Sequence, residues 1–220
     1  MAISKLNYNS LNVTPSANAA IGFDSGADDL ETGAAGGSMK FIKKLTASSS
    51  ATLSFVDGSS SVVLDNTYKE YMFIFNNIHP ETNDAHLTFN MSVDTGSNYN
   101  VTKTTTYFRA YLSEDNNFQS FAYDTGYDLA QGTGFQRISG SIGNGNDENF
   151  GGILRLFNPS STTFVKHFIS ESNTQRNSIE WSWNGYMAGY GNTTSAVDGV
   201  QFKMDSGDID AGTITLYGIS

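Results

Sequence analysis

Hydrophobic and polar positions alternate with a period of two along much of this chain, most strongly in Tyr68–Val93 (YKEYMFIFNNIHPETNDAHLTFNMSV). In Tyr71–Ile78 one parity carries Tyr71, Phe73 and Phe75 and the other Met72, Ile74 and Ile78, so both faces require burial, as in an interior strand of a layered sheet. In His86–Val93 the apolar set is Leu87, Phe89, Met91 and Val93, while His86, Thr88, Asn90 and Ser92 are polar, which predicts one wet face. Pro80–Ala85 between them holds Pro, Thr, Asn and Asp, turn residues that predict a hairpin at the centre of a sheet.

The same pattern recurs on both sides. Met39, Phe41 and Leu45 alternate with Lys40, Ile42 and Lys44; Thr52–Val56 repeats it with Leu53 and Phe55, and Asp57-Gly58 is expected to close that pair with a turn. Downstream, Thr104–Leu112, Phe135–Ile142, Glu180–Tyr190, Val200–Met204 and Thr213–Ile219 read as strands, and Gly152–Phe157 and Thr163–Ser170 flank the turn Asn158-Pro159-Ser160-Ser161. Glu114–Gly134 is long, polar and irregular, and Asp124–Leu129 is expected to hold a short strand or turn. About ten short strands without a helical period predict an all-β protein, an antiparallel β-sandwich of jelly-roll type.

Met1–Ser38 breaks the pattern: it has no periodic run and ends in acidic residues and the glycine-rich GAAGG. This predicts an extended N-terminal arm over residues 1–38 ahead of a sandwich domain over 39–220. Leu6, Tyr8, Leu11, Val13, Ile21 and Phe23 are too apolar for a linker, and are expected to anchor the arm by burial against a neighbouring molecule.

Composition narrows the partners. The 12 basic and 22 acidic residues give a net charge of -10, which repels phosphate backbones and anionic membrane surfaces, so no nucleic acid partner is expected. No run approaches the roughly 20 apolar residues that span a bilayer, and the N-terminus lacks a charged region followed by an apolar one, so no membrane insertion is expected. The chain has no cysteine, which removes disulfides and thiolate metal sites.

Candidate chemistry is sparse. His79, Glu81, Asp84 and His86 bracket one loop and could approach a metal, but their spacing matches no ligand motif and an exposed polar loop is the simpler reading. Asp205, Asp208 and Asp210 offer hard oxygen ligands without the bidentate Glu of an EF-hand, and read as a solvated acidic turn; Asn144–Asn149 is similar. His167 reads as structural. Trp181 and Trp183 would share a core face with Ile179 and Met187, leaving Tyr186 and Tyr190, beside Ala188, as candidate ligand contacts on the other face. No E-x-D-x-x-E pattern, G-x-S-x-G elbow, H-E-x-x-H helix or P-loop occurs, so no enzyme activity, cofactor or metal is expected.

Several stretches carry a resemblance: Leu11–Gly33, Leu45–Ser48, Tyr71–Pro80 (YMFIFNNIHP), Asn100–Tyr111 (NVTKTTTYFRAY), Asp128–Gln136, Phe157–Phe168 (FNPSSTTFVKHF) and Asn192–Ile219, ending GTITLYGI. Through them the chain resembles virion structural proteins of marine tailed bacteriophages, including cyanophages, described as tail-fibre-like or capsid-surface components. The resemblance implies a protein at the surface of the phage particle, with other virion proteins of capsid or tail as partners. It also implies a homo-oligomer, with a trimer favoured, a host surface glycan as candidate ligand, and no active site. Outside that class, the competing expectation is a free lectin-like carbohydrate-binding module using Tyr186, Tyr190 and the Asp205–Asp210 turn.

Overall fold

The computed structural model describes residues 21–23, 30–32, 38–176 and 181–220, with side chains from residue 38 onward. The chain forms two compact units, Met1–Lys40 and Phe41–Ser220. In the first, β1 (Ile21–Phe23) and β2 (Leu30–Thr32) pair antiparallel. Ile21 and Phe23 thus sit in a strand, while Leu6, Tyr8, Leu11 and Val13 lie outside the described residues.

The second unit is an antiparallel β-sandwich, with no helix among the described residues. Its strands are β3 (Met39–Thr46), β4 (Leu53–Val56), β5 (Glu70–Pro80), β6 (Leu87–Ser92), β7 (Lys103–Ser113), β8 (Gln119–Tyr123), β9 (Gln136–Arg137), β10 (Phe150–Phe157), β11 (Lys166–Arg176), β12 (Trp181–Gly191), β13 (Gly199–Met204) and β14 (Ile209–Ile219). The large sheet runs β3-β14-β5-β10-β11-β12-β7-β8 and the small one β4-β13-β6-β9.

Eight of these strands nest as antiparallel pairs: β3 with β14, β4 with β13, β5 with β10 and β6 with β9. First with last, second with next to last, and so inward, is the jelly-roll arrangement. The remaining hairpins, β7–β8 inserted between β6 and β9 and β11–β12 inserted between β10 and β13, add four strands to one side of the large sheet. The result is a jelly-roll body with a four-stranded extension.

The body is stabilised by aromatic burial between its sheets. Phe202 lies edge-on to Phe73 and Phe75 at 5.2 Å from each ring centroid, with Phe55 and Phe89 completing the cluster. All five are buried. Val200, Phe202 and Met204 share the core face of β13, as their alternation predicts.

Several expectations change. β5 and β6 are not a hairpin, since β5 lies in the large sheet and β6 in the small one; β3 and β4 are divided in the same way, and Asp57 N–H bonds Asp198 in the chain next to β13. The predicted wet face of β6 is also buried. Asn90 donates to the carbonyls of Tyr99 (2.6 Å) and Thr133 (2.9 Å), and Thr88 donates to the Lys203 carbonyl, so loops and neighbouring strands supply the bonds that water would have supplied. Val93, expected inside, is exposed just beyond the end of the strand. On β5 only one face is fully buried; Met72 and Ile74 are half-buried on the outer face. Ile78 leaves their parity because a bulge with Asn77 at φ 50° shifts the register against β10 and β14 and turns Ile78 into the core.

Candidate functional site

The loops after β5, around 143–149 and after β13 meet one another, and this joins constellations that the sequence keeps apart. His86 Nδ1 donates to Asp205 Oδ2 (2.9 Å) while the His86 backbone N–H donates to Asp205 Oδ1 (2.8 Å), and Arg137 reaches the same carboxylate (3.1 Å). The carboxylate can only accept, which places a proton on Nδ1. Burial alone would raise the Asp205 carboxyl, but the His86 hydrogen bonds and the Arg137 charge outweigh it and hold it down at about 2. His79 approaches Asp210 (3.5 Å) and contacts the Gly145 carbonyl (3.0 Å), and Glu81 Oε2 accepts the Asp208 N–H (3.1 Å).

His79, Glu81 and His86 are therefore engaged in tying loops together, with the two histidines on different aspartates. Asp84 sits in the β5–β6 loop at φ 60°, a turn conformation.

A Ser–His–Asp arrangement also arises here, since Ser141 Oγ lies 3.3 Å from His86 Nε2. The Tyr127 hydroxyl is closer to the same nitrogen, at 2.8 Å. Tyr127 is thus the nearer partner of Nε2, so Ser141 has no unoccupied base to take its proton. The cluster reads as a latch between β6, β13 and the segment after β9. Beside it, Asn77, His79, Asn146, Glu148, Asn149 and Asp210 line a polar cavity of about 390 Å³.

The extension is built differently on its two faces. Its inner face is covered in part by β6 and β9, where Phe168 packs on Phe89 (5.1 Å) and Thr105 Oγ1 donates to Gln136 Oε1 (2.7 Å), and in part by the chain between β8 and β9, where Tyr127 packs on Tyr107 (4.9 Å) and on Trp183. The same chain bonds the β7 edge through Thr105 N–H to the Leu129 carbonyl and Lys103 N–H to that of Gly132. Lys103 is fully buried, its ammonium donating to Asn90 Oδ1 (2.5 Å) and the Val101 carbonyl (2.8 Å), and burial pushes it down to about 7. Trp183 is buried, as expected, with the Arg109 guanidinium over its ring at 4.4 Å; Trp181 is half-buried, stacked on Tyr111 at 4.6 Å. Ile179 lies outside the described residues.

The outer face is open. Tyr186 and Tyr190 both lie on it, half-buried. Tyr186 stacks on Phe108 (5.1 Å, 13° between planes) and donates to Glu171 (3.1 Å), so Phe108 already occupies part of its ring surface. Tyr190, with His167, Ile169, Thr104, Thr106 and Ala188, borders a shallow depression of about 440 Å³.

Farther out, Phe108, Leu112, Phe118, Phe121 and Tyr123 are exposed in the β7–β8 hairpin. They make up half of the large hydrophobic side chains left exposed among the described residues. The sequence reading missed β8. Its only signal is Gln119–Tyr123, where Phe121 and Tyr123 alternate with Ser120 and Ala122 inside a polar stretch.

No protein-family model, curated protein or solved structure matches this chain.

Proposed function

We propose that this protein is a bacteriophage virion structural component, displayed at the particle surface as a capsid decoration or fibre element and held there by its N-terminal segment. The observation that carries the reading is the extension: a jelly-roll body carries four further strands, and their outermost hairpin presents a concentrated apolar patch to solvent. Contiguous apolar surface of this kind marks a contact with another macromolecule more often than a free monomer's exterior. The quoted resemblance to phage structural proteins supplies the identity of the assembly. Fold alone would not, since jelly rolls serve capsids and lectins alike.

The test is a tagged full-length chain produced during infection, followed by density-gradient purification of particles. The protein is expected to band with the particles; many copies per particle identify a lattice decoration and few identify a fibre. Particles free of the protein contradict the proposal. A chain lacking residues 1–38 is expected to fold yet leave particles unoccupied, and equal occupancy sinks the anchoring role of Leu6, Tyr8, Leu11, Val13, Ile21 and Phe23.

A lectin-like module is the second reading, favoured by the polar cavity at His79, Glu148 and Asp210, whose amides and carboxylates suit sugar hydroxyls. Glycan-array binding that is lost with Asp210→Ala, by a protein that does not co-purify with particles, would move the assignment there.

A further inference from the structure

The sandwich has four sheet edges, and three of them are protected. The small sheet ends in β4, with 4 residues, and β9, with 2, both too short to template another strand. The large sheet ends on one side in β3, which carries Lys40, Lys43 and Lys44, a common guard against edge pairing. It ends on the other side in β8, QSFAY, with no charge, proline or glycine.

The register shows what β8 presents. Asp124 N–H bonds the Tyr107 carbonyl and Ser113 N–H that of Phe118, and Phe108 lies opposite Tyr123. Alternation along an antiparallel pair then turns the N–H and C=O groups of Ser120 and Ala122 toward β7, and those of Gln119, Phe121 and Tyr123 outward. Among the described residues no strand pairs with these outward groups.

We infer that β8 is a self-association edge: two copies of this chain pair β8 to β8 antiparallel about a two-fold axis at Phe121, continuing the large sheet from one copy into the other. A second copy is the partner because the strand is self-complementary. With Phe121 opposite Phe121 and Gln119 opposite Tyr123 of the second copy, every outward donor meets an outward acceptor, giving about six hydrogen bonds between chains.

The area is consistent with this. Phe121 and Tyr123, which share one face of the strand, are 74% and 52% exposed, so they offer at most roughly 250 Å² per copy at about 200 Å² per ring. Even with the strand backbones, the contact stays below the roughly 1,200 Å² of a stable complex, so the dimer is weak.

The pairing also brings Glu114 and Asp115 of one copy toward Asp124 and Asp128 of the other. Asp124 is offset by its ion pair with Arg109, and the remaining repulsion makes the dimer tighten with salt. The inference does not depend on the virion reading, since a free protein would dimerise in the same way.

Sedimentation of the full chain from about 1 μM to 1 mM tests it. A monomer–dimer equilibrium is expected, strengthened in high salt and weakened at least about tenfold by Phe121→Lys, which sets like charges opposite each other. Phe121→Pro, which removes only an outward N–H, is expected to do the same, while Phe164→Lys, at a residue 69% exposed outside the hairpin, changes nothing. In this cysteine-free chain Phe121→Cys is expected to form a disulfide-linked dimer on mild oxidation and Phe164→Cys is not. A parent monomeric throughout, or association indifferent to Phe121→Lys and Phe121→Pro, overturns the inference. The latter result would mean that copies associate through another surface.

Discussion

The body and the extension of the large sheet share one continuous set of hydrogen-bonded strands but solve different problems. In the body, two sheets face each other and the phenylalanines of β4, β5, β6 and β13 fill the space between them. In the extension only the β6–β9 side of the small sheet opposes the inner face, through Phe89, Asn90 and Gln136. A loop completes the cover of the inner face, a lysine and a tryptophan stacked under a half-buried arginine lie beneath it, and the outer face keeps aromatic side chains in water. The difference separates stability from association: residues of the body should govern whether the chain folds, and residues at the rim of the extension should govern what it meets.

The largest expected effect that would break this division lies in the body. Phe202→Ala removes a fully buried ring at the centre of the cluster and is expected to cost about 3–5 kcal/mol in denaturant unfolding. An unchanged midpoint would mean that the β13 cluster is not the core.

Next in size is the buried cation of the extension. The Lys103 ammonium is held at about 7 by burial, below its unfolded value, so between about pH 7 and 10 the unfolded chain binds a proton that the folded chain has released. Stability should therefore rise with pH across that window, by roughly 2–4 kcal/mol. Lys103→Met should flatten the rise, and identical pH profiles for parent and variant would show that the lysine is not desolvated.

The loop latch should contribute less and in the opposite pH direction. The Asp205 carboxyl lies below its unfolded value, so its contribution is present above about pH 4 and is lost as pH falls toward 2. After solvent screening this amounts to about 1–2 kcal/mol. Asp205→Asn should remove the part of the acid transition in that window, and an identical acid midpoint would mean that the His86–Asp205 bonds are not formed in solution. The smallest effect on stability is expected at the rim, where Phe121→Lys should stay within about 0.5 kcal/mol of the parent despite its effect on association.

The sequence reading was most accurate where the cause is local. Period-two alternation put Phe73, Phe75, Phe89 and Phe202 inward, and the absence of helical periodicity set the fold class. Partner choice was not legible, because β3 pairs with β14 and β4 with β13 across most of the chain, while nothing in Pro80–Ala85 distinguishes a hairpin turn from a crossing between sheets. Ile78 was misplaced by a bulge that two asparagines permit but do not announce. Asn90 and Ser92 read as wet because the loops that bury them come from elsewhere. At the candidate site, the His79–His86 loop and the Asp205–Asp210 turn were each visible, but their mutual engagement depends on a contact between segments 119 residues apart. β8 was missed because five residues of edge strand, packed on one neighbour only, leave too short a pattern.

Residue-resolved amide exchange in β8, followed as protein concentration rises, tests the central claim most directly. Ser120 and Ala122, bonded to β7, should be protected at every concentration, whereas Gln119, Phe121 and Tyr123 should exchange freely when dilute and become protected together as the dimer forms. Outward amides that stay unprotected in a sample shown to be dimeric, or that are already protected in the dilute monomer, would contradict the account.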